Sequence, residues 1–158
     1  MKFICILLCF LFIVKQGSAQ SKKQVKQHKI KASAVSIVEN GKVINESKTL
    51  FDAKGNEIEK TDYNKEGNIK AIHKIKYNSD GDEIEDDEFD ANNKFVEKKV
   101  TKYNMLGEKT EEQYLDINGK IFKKHLYTYD SQGLKTEKKT VGADGKTISV
   151  KKHVYITK

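Results

Sequence analysis

The sequence predicts an all-β protein: a ten-stranded antiparallel up-and-down meander built from five 26-residue repeats. Two observations carry that prediction. Gly41, Gly55, Gly67, Gly81, Asn93, Gly107, Gly119, Gly133 and Gly145 mark short turns whose spacing strictly alternates, a longer step (Gly41 to Gly55) and then a shorter one (Gly55 to Gly67). Four positions before each mark stands an apolar or aromatic residue: Ile37, Phe51, Tyr63, Tyr77, Phe89, Tyr103, Leu115, Tyr129 and Val141. Such strict self-similarity is the signature of one supersecondary unit copied along the chain.

The turns explain why the units are hairpins. Phe51-Asp52-Ala53-Lys54-Gly55, Tyr77-Asn78-Ser79-Asp80-Gly81 and Tyr129-Asp130-Ser131-Gln132-Gly133 share the pattern aromatic, Asp or Asn, two variable residues, Gly. Asp or Asn at the first turn position bonds back to the backbone and favours a type I turn. Gly then takes the left-handed conformation that closes the hairpin, and Asn93 is the next most tolerant residue there. Connections this short cannot cross a sheet face, so consecutive strands pair antiparallel. Each unit therefore holds a strand of about 8 residues and one of about 10.

This turn chemistry also predicts a register. Tyr63 falls opposite Ile69, Phe89 opposite Phe95 and Leu115 opposite Ile121. Extended along the strands, it sets Asp86 between Lys74 and Lys98, Glu85 near Lys99, Glu59 near His73 and Glu111 near His125. Opposite charges so placed act as cross-strand glue. Neither side of the strands is uniformly apolar, which favours one open twisted sheet over a sandwich. A closed barrel is the alternative.

The ends of the chain read differently. Lys2, the apolar run Phe3 to Val14 and the small residues Gly17-Ser18-Ala19 form a secretory signal over residues 1–19. That run is too short to span a bilayer, which needs about 20 apolar residues. Residues 20–29 (QSKKQVKQHK) are polar, basic and aperiodic, and read as a flexible leader before the repeat domain at 30–158. Cys5 and Cys9 both lie in the signal, so the remaining chain has no thiol for disulfides, redox chemistry or metal.

Composition narrows the function. The formal charge is +7 with 34% charged residues, yet every basic side chain is lysine rather than arginine. Arginine supplies bidentate phosphate and guanine contacts, so its absence argues against specific nucleic-acid binding. His73 and His125 lie four strands apart, roughly 19 Å, too far to share a metal ion. Asn78, Asp80, Asp82 and Asp87 suggest a calcium loop, but Lys76 takes its first ligand position, and turn chemistry accounts for them. No nucleophilic triad, phosphate-cradling loop or zinc motif appears, and no cofactor is expected.

One ladder stands out as a candidate binding site. Phe51, Tyr77, Tyr103, Tyr129 and Tyr155 recur once per repeat. They fall on alternate strands along one margin, about 9.6 Å apart. Such rings stack on sugars or bury against a protein, or else simply stiffen their own turns.

The Tyr-Asp turns, clearest in Tyr129–Gly133 and Phe51–Asn56, resemble the YD repeats of Rhs-type bacterial surface and toxin proteins, and the hairpin succession is similar to MORN-like repeats. The resemblance covers about residues 37 to 158, at a denser spacing than a typical YD unit. It implies an extracellular β-sheet protein with a carbohydrate- or polypeptide-binding role. The expectation is a secreted or periplasmic, non-catalytic protein that binds a glycan or protein at the cell surface. A structural envelope component and a carboxylate-dependent secreted hydrolase are the alternatives.

Overall fold

A computed structural model describes residues 21–156, so the signal reading of residues 1–19 lies outside the described residues. Ten strands form one sheet in strictly sequential order, every neighbouring pair antiparallel. They are β1 (Ala32–Glu39), β2 (Lys42–Phe51), β3 (Glu57–Tyr63), β4 (Ile69–Tyr77), β5 (Glu83–Phe89), β6 (Phe95–Tyr103), β7 (Lys109–Leu115), β8 (Ile121–Tyr129), β9 (Lys135–Gly142) and β10 (Thr147–Lys152). The first and last strands do not pair, so the sheet is open and the barrel alternative is discarded.

The turns follow the expected mechanism. Asp52 Oδ1 accepts from the backbone N–H of Lys54 and of Asn56, each at 2.8 Å. Asn64, Asp90, Asn104, Asp116 and Asp130 repeat the pair of bonds. Asn93 takes φ +59° in place of glycine. The first hairpin departs from this class: Asn40 and Gly41, at φ +51° and +76°, form a two-residue primed turn between Glu39 and Lys42.

The register holds near the turns and shifts beyond them. Tyr63 faces Ile69, Phe89 faces Phe95 and Leu115 faces Ile121 as expected. Then each hairpin skips one residue of its returning strand. Lys70 is passed over between Tyr63↔Ile69 and Asp62↔Ala71, and Val96 between Phe89↔Phe95 and Glu88↔Glu97. Ile58, Ile84, Thr110, Phe122, Thr136 and Ile148 are passed over in the same way. A one-residue shift exchanges the faces that meet across a pair of strands. Asp87, not Asp86, therefore lies opposite both Lys74 and Lys98. Glu85 faces Val100 rather than Lys99, and His73 faces Lys60 rather than Glu59.

The sheet has no apolar core of its own. Among the described residues the buried hydrophobic side chains are Val25 and Ala71, while Thr49, Asn56, Thr101 and Glu112 are the buried polar ones. Backbone ladders and cross-strand side-chain pairs hold the strands in place of a second layer.

The segment expected to be a flexible leader contains a helix, α1 (Lys22–Gln27). Ser21 and Gln24 form a capping box, each side chain meeting the other residue's backbone N–H. Val25, 1% exposed, and Ile30 line an apolar recess with Phe51 and Ala53. The β2–β3 turn admits the helix because position 55 has no side chain: a Cβ there would lie 2.6 Å from the Lys22 carbonyl oxygen. Gly55→Ala is expected to destabilise the fold by more than Gly67→Ala. Both positions have left-handed backbones (φ +82° and +84°), but position 67 opens onto free space. The shared backbone cost is about 1–2 kcal/mol, and urea unfolding of the two variants measures the helix docking as the difference. Equal losses would mean that α1 contributes nothing.

Candidate binding surface

Four of the five ladder residues stand on the strands where the sequence places them, and Tyr155 lies just beyond its strand. Phe51, Tyr77, Tyr103 and Tyr129 end β2, β4, β6 and β8, and Tyr155 follows β10. The skipped residues explain what their hydroxyls do. Pairing of β3 with β4 begins at Glu59↔Lys74, which leaves the Glu57 carbonyl outside that ladder. The Tyr77 hydroxyl donates to it at 2.9 Å. Tyr103 donates to the Glu83 carbonyl, Tyr129 to Lys109 and Tyr155 to Lys135, all at 2.9 Å. Each acceptor lies 20 residues before its tyrosine. The ladder thus stitches each turn to its predecessor along one margin. Phe51 has no hydroxyl, and its ring helps to line the α1 recess.

Fixed hydroxyls leave the rings half-buried, with Tyr155 the most open at 48%. Burial, with Glu83 and Glu57 close by, pushes the Tyr77 phenol up to about 12. Burial also raises Tyr103 and Tyr129. These groups stay neutral donors through the physiological range.

The structure adds a polar row that sequence reasoning missed. Lys60, His73, Asp86, Lys99, Glu112, His125 and Lys138 recur at half the repeat period, one on each strand from β3 to β9. Lys60↔His73, Asp86↔Lys99 and Glu112↔His125 are direct cross-strand pairs, so this row runs across one face of the sheet. His73 Nδ1 lies 3.0 Å from Asp86 Oδ1, and Lys99 Nζ bonds Asp86 Oδ2 at 3.1 Å and Glu83 at 2.7 Å. The partner of His73 is therefore Asp86 and not Glu59. That of His125 is Glu112, not Glu111, with Nδ1 3.0 Å from Oε2.

Glu112 is the centre of the second half of the row. Its Oε1 accepts from Lys109 Nζ at 2.7 Å, and its Oε2 accepts from the Tyr127 hydroxyl at 2.5 Å as well as meeting His125. Tyr114 and Tyr127 stand edge-on to the His125 ring, and Lys123 Nζ sits 3.9 Å from the Tyr114 ring centre. The opposite face carries separate pairs, with Glu85 bridging Lys76 and Lys98, and Glu111 bridging Lys102 and Lys124.

These contacts set the charge states. Burial works against the Glu112 carboxylate, but its bonds from Lys109, Tyr127 and His125 prevail and hold its pKa down to about 2. Burial likewise opposes ionised Asp86, and His73 and Lys99 overcome it. Bonding to Asp86 raises His73 above 6.5. The signs define a window. Carboxylates with depressed values contribute stability above 4.5 that is lost as pH falls towards 2. His73 contributes below 6.5 and loses that contribution as pH rises through its elevated value. Thermal melts across pH should therefore show greatest stability between about 4.5 and 6.5 with a steep acid limb. A midpoint that stays flat from pH 5 to 2 would contradict the row's role.

Among the described residues, no cluster of three or more His, Cys, Asp or Glu side chains could hold a metal ion. No helix among them is long and apolar enough to cross a membrane. The carboxylates whose pKa departs from the ordinary range, Asp52, Glu85, Asp86, Glu111, Glu112 and Asp144, all move downward.

No protein-family model and no curated protein matches the chain. Among solved structures it is similar to a protein of unknown function from Bacteroides fragilis NCTC 9343, at 15% identity and a TM-score of 0.43, over 80% of this chain and 96% of that one. It is also similar to TarM, at 17% identity and a TM-score of 0.31, over 84% of this chain and 24% of TarM. A mutant of S. aureus TarM in complex with fondaparinux, alpha-GlcNAc-glycerol and UDP aligns at 16% identity with the same TM-score of 0.31, over 84% and 24% of the two chains.

Proposed function

We propose that this is a secreted, non-catalytic repeat protein that binds an extended glycan or protein partner at the cell exterior or in the periplasm. The observation that carries this reading is the margin of rings whose hydroxyls are already bonded inward. Rings held in place lose little rotamer freedom when a ligand stacks on them. Their regular spacing on an open sheet suits a long repetitive ligand better than a compact one. The signal segment and the YD-repeat resemblance point to the same setting. Carboxylates held ionised are poorly suited to act as the general acid that glycoside hydrolysis requires, which favours binding over turnover.

A glycan array and a surface-protein pull-down, run with two sets of variants, test this. Tyr77, Tyr103 and Tyr129 changed to phenylalanine keep the rings and should keep the ligand. Each position changed singly to alanine, with the fold checked by circular dichroism, should lose roughly tenfold or more in affinity. Ligand retention by folded alanine variants would remove the ladder from the site. The second reading is a structural envelope component, favoured by the same inward hydroxyls, and an absence of any captured ligand would select it.

A further inference from the structure

We infer that copies of this chain join head to tail, β10 of one copy pairing antiparallel with β1 of the next to continue the sheet. The repeat itself supplies the register. The pairs Ile72↔Phe89, Lys98↔Leu115 and Lys124↔Val141 advance by one full repeat at each step across the sheet. The next member begins at Val150, and the residue that corresponds to Phe89, Leu115 and Val141 in the first unit is Ile37. Lys74↔Asp87, Val100↔Gln113 and Leu126↔Lys139 form a parallel series, whose continuation sets Lys152 against Val35.

The β1 edge is the more open to this, and β10 offers Ile148 and Val150 beside Lys151 and Lys152. β1 has no charged residue and no proline from Ala32 to Val38, and the irregularity in its pairing with β2 falls on the β2 side, where Glu46 is skipped. An edge without charge, proline or bulge is one that natural sheets ordinarily avoid leaving bare. Val35, Ile37 and Val38 on β1 are 50%, 38% and 67% exposed, and Ile148 and Val150 on β10 are 67% and 44% exposed. Inner strands instead carry Thr61, Asp87, Gln113 and Lys139 at the positions equivalent to Val35. Terminal repeats of a stacked array are normally polar caps; here both ends bear β-branched apolar residues. Helix α1 does not obstruct the edge, because Lys22 packs over Gly55 and Gly81, on the side of β2 to β5. The contact is heterologous, so each added copy leaves one edge free for the next and assembly proceeds stepwise along the sheet.

Sedimentation of the purified protein over a range of concentrations tests the inference, with residue 35 as the probe. The wild type should show a mass that climbs with concentration and reaches no fixed stoichiometry. Val35→Lys sets like charges opposite Lys152 and should leave a monomer, with circular dichroism confirming the sheet. Val35→Asp recreates the pair seen at Lys74↔Asp87 and should tighten association, by roughly fivefold at most. Lys152→Glu added to Val35→Lys should restore it. A monomeric wild type, or association indifferent to these variants, overturns the inference. So does a closed dimer that Val35→Lys abolishes and Lys152→Glu does not rescue, which would mean β1 pairs with its own copy.

Discussion

Glu112→Ala is expected to destabilise the protein by roughly 3 kcal/mol, the usual cost of breaking a largely buried charged network from one side. Glu112 is 7% exposed and receives Lys109, His125 and Tyr127. Its removal leaves the Tyr127 hydroxyl without its acceptor and the Lys109 ammonium without its partner. In a sheet with almost no apolar core, that loss is a large share of total stability. Urea unfolding at neutral pH measures it. The alanine variant should also show a shallower acid limb, because the group titrating between 4.5 and about 2 is gone. Glu112→Gln should fall between the two proteins, since the amide oxygen still accepts from Tyr127. A loss below about 0.5 kcal/mol would reduce the network to ordinary surface pairs.

Changing Tyr77, Tyr103 and Tyr129 together to phenylalanine is the second large effect. Each hydroxyl is worth about 1 kcal/mol. The rungs stand about 9.6 Å apart, far enough for the losses to add to roughly 3 kcal/mol. The wild type should weaken as pH rises above 10, towards the value of about 12 at Tyr77. The sign follows from the elevated phenol values: the folded state holds protons that the unfolded state has released, so alkali favours unfolding. The triple variant should lose less on that limb. An unchanged melting midpoint in the triple variant would show that water serves those carbonyls equally well.

Much of the architecture was legible because turn chemistry is local. Asp or Asn at the first turn position and Gly or Asn at the left-handed one fix where each strand ends, whatever the rest of the chain does. The ladder margin followed from the same arithmetic, since its residues share the turn motif. The second irregularity in each hairpin had no such mark. Ile58, Lys70, Ile84, Val96, Thr110, Phe122, Thr136 and Ile148 are mostly β-branched, like strand residues in general, so nothing sets them apart from their neighbours, and none has a positive φ that would call for glycine. A bulge of that kind accepts almost any residue. Missing it moved each expected charge pair by one position and concealed the row from Lys60 to Lys138.

Helix α1 illustrates a different limit. Ser21-Lys22-Lys23-Gln24 is a legible capping box, yet a helix of six residues is too short to persist without tertiary contacts. Val25 is its only apolar residue, and it counts only once Phe51 and the bare Cα of Gly55 offer a place to bury it.

By itself, then, the sequence determined strand number, order and the aromatic margin, because each depends on contacts between residues close along the chain. Tertiary structure decided which carboxylate meets which histidine, where the tyrosine hydroxyls bond and where the helix rests. Those outcomes depend on the exact offset between strands, and a single unmarked residue is enough to change it.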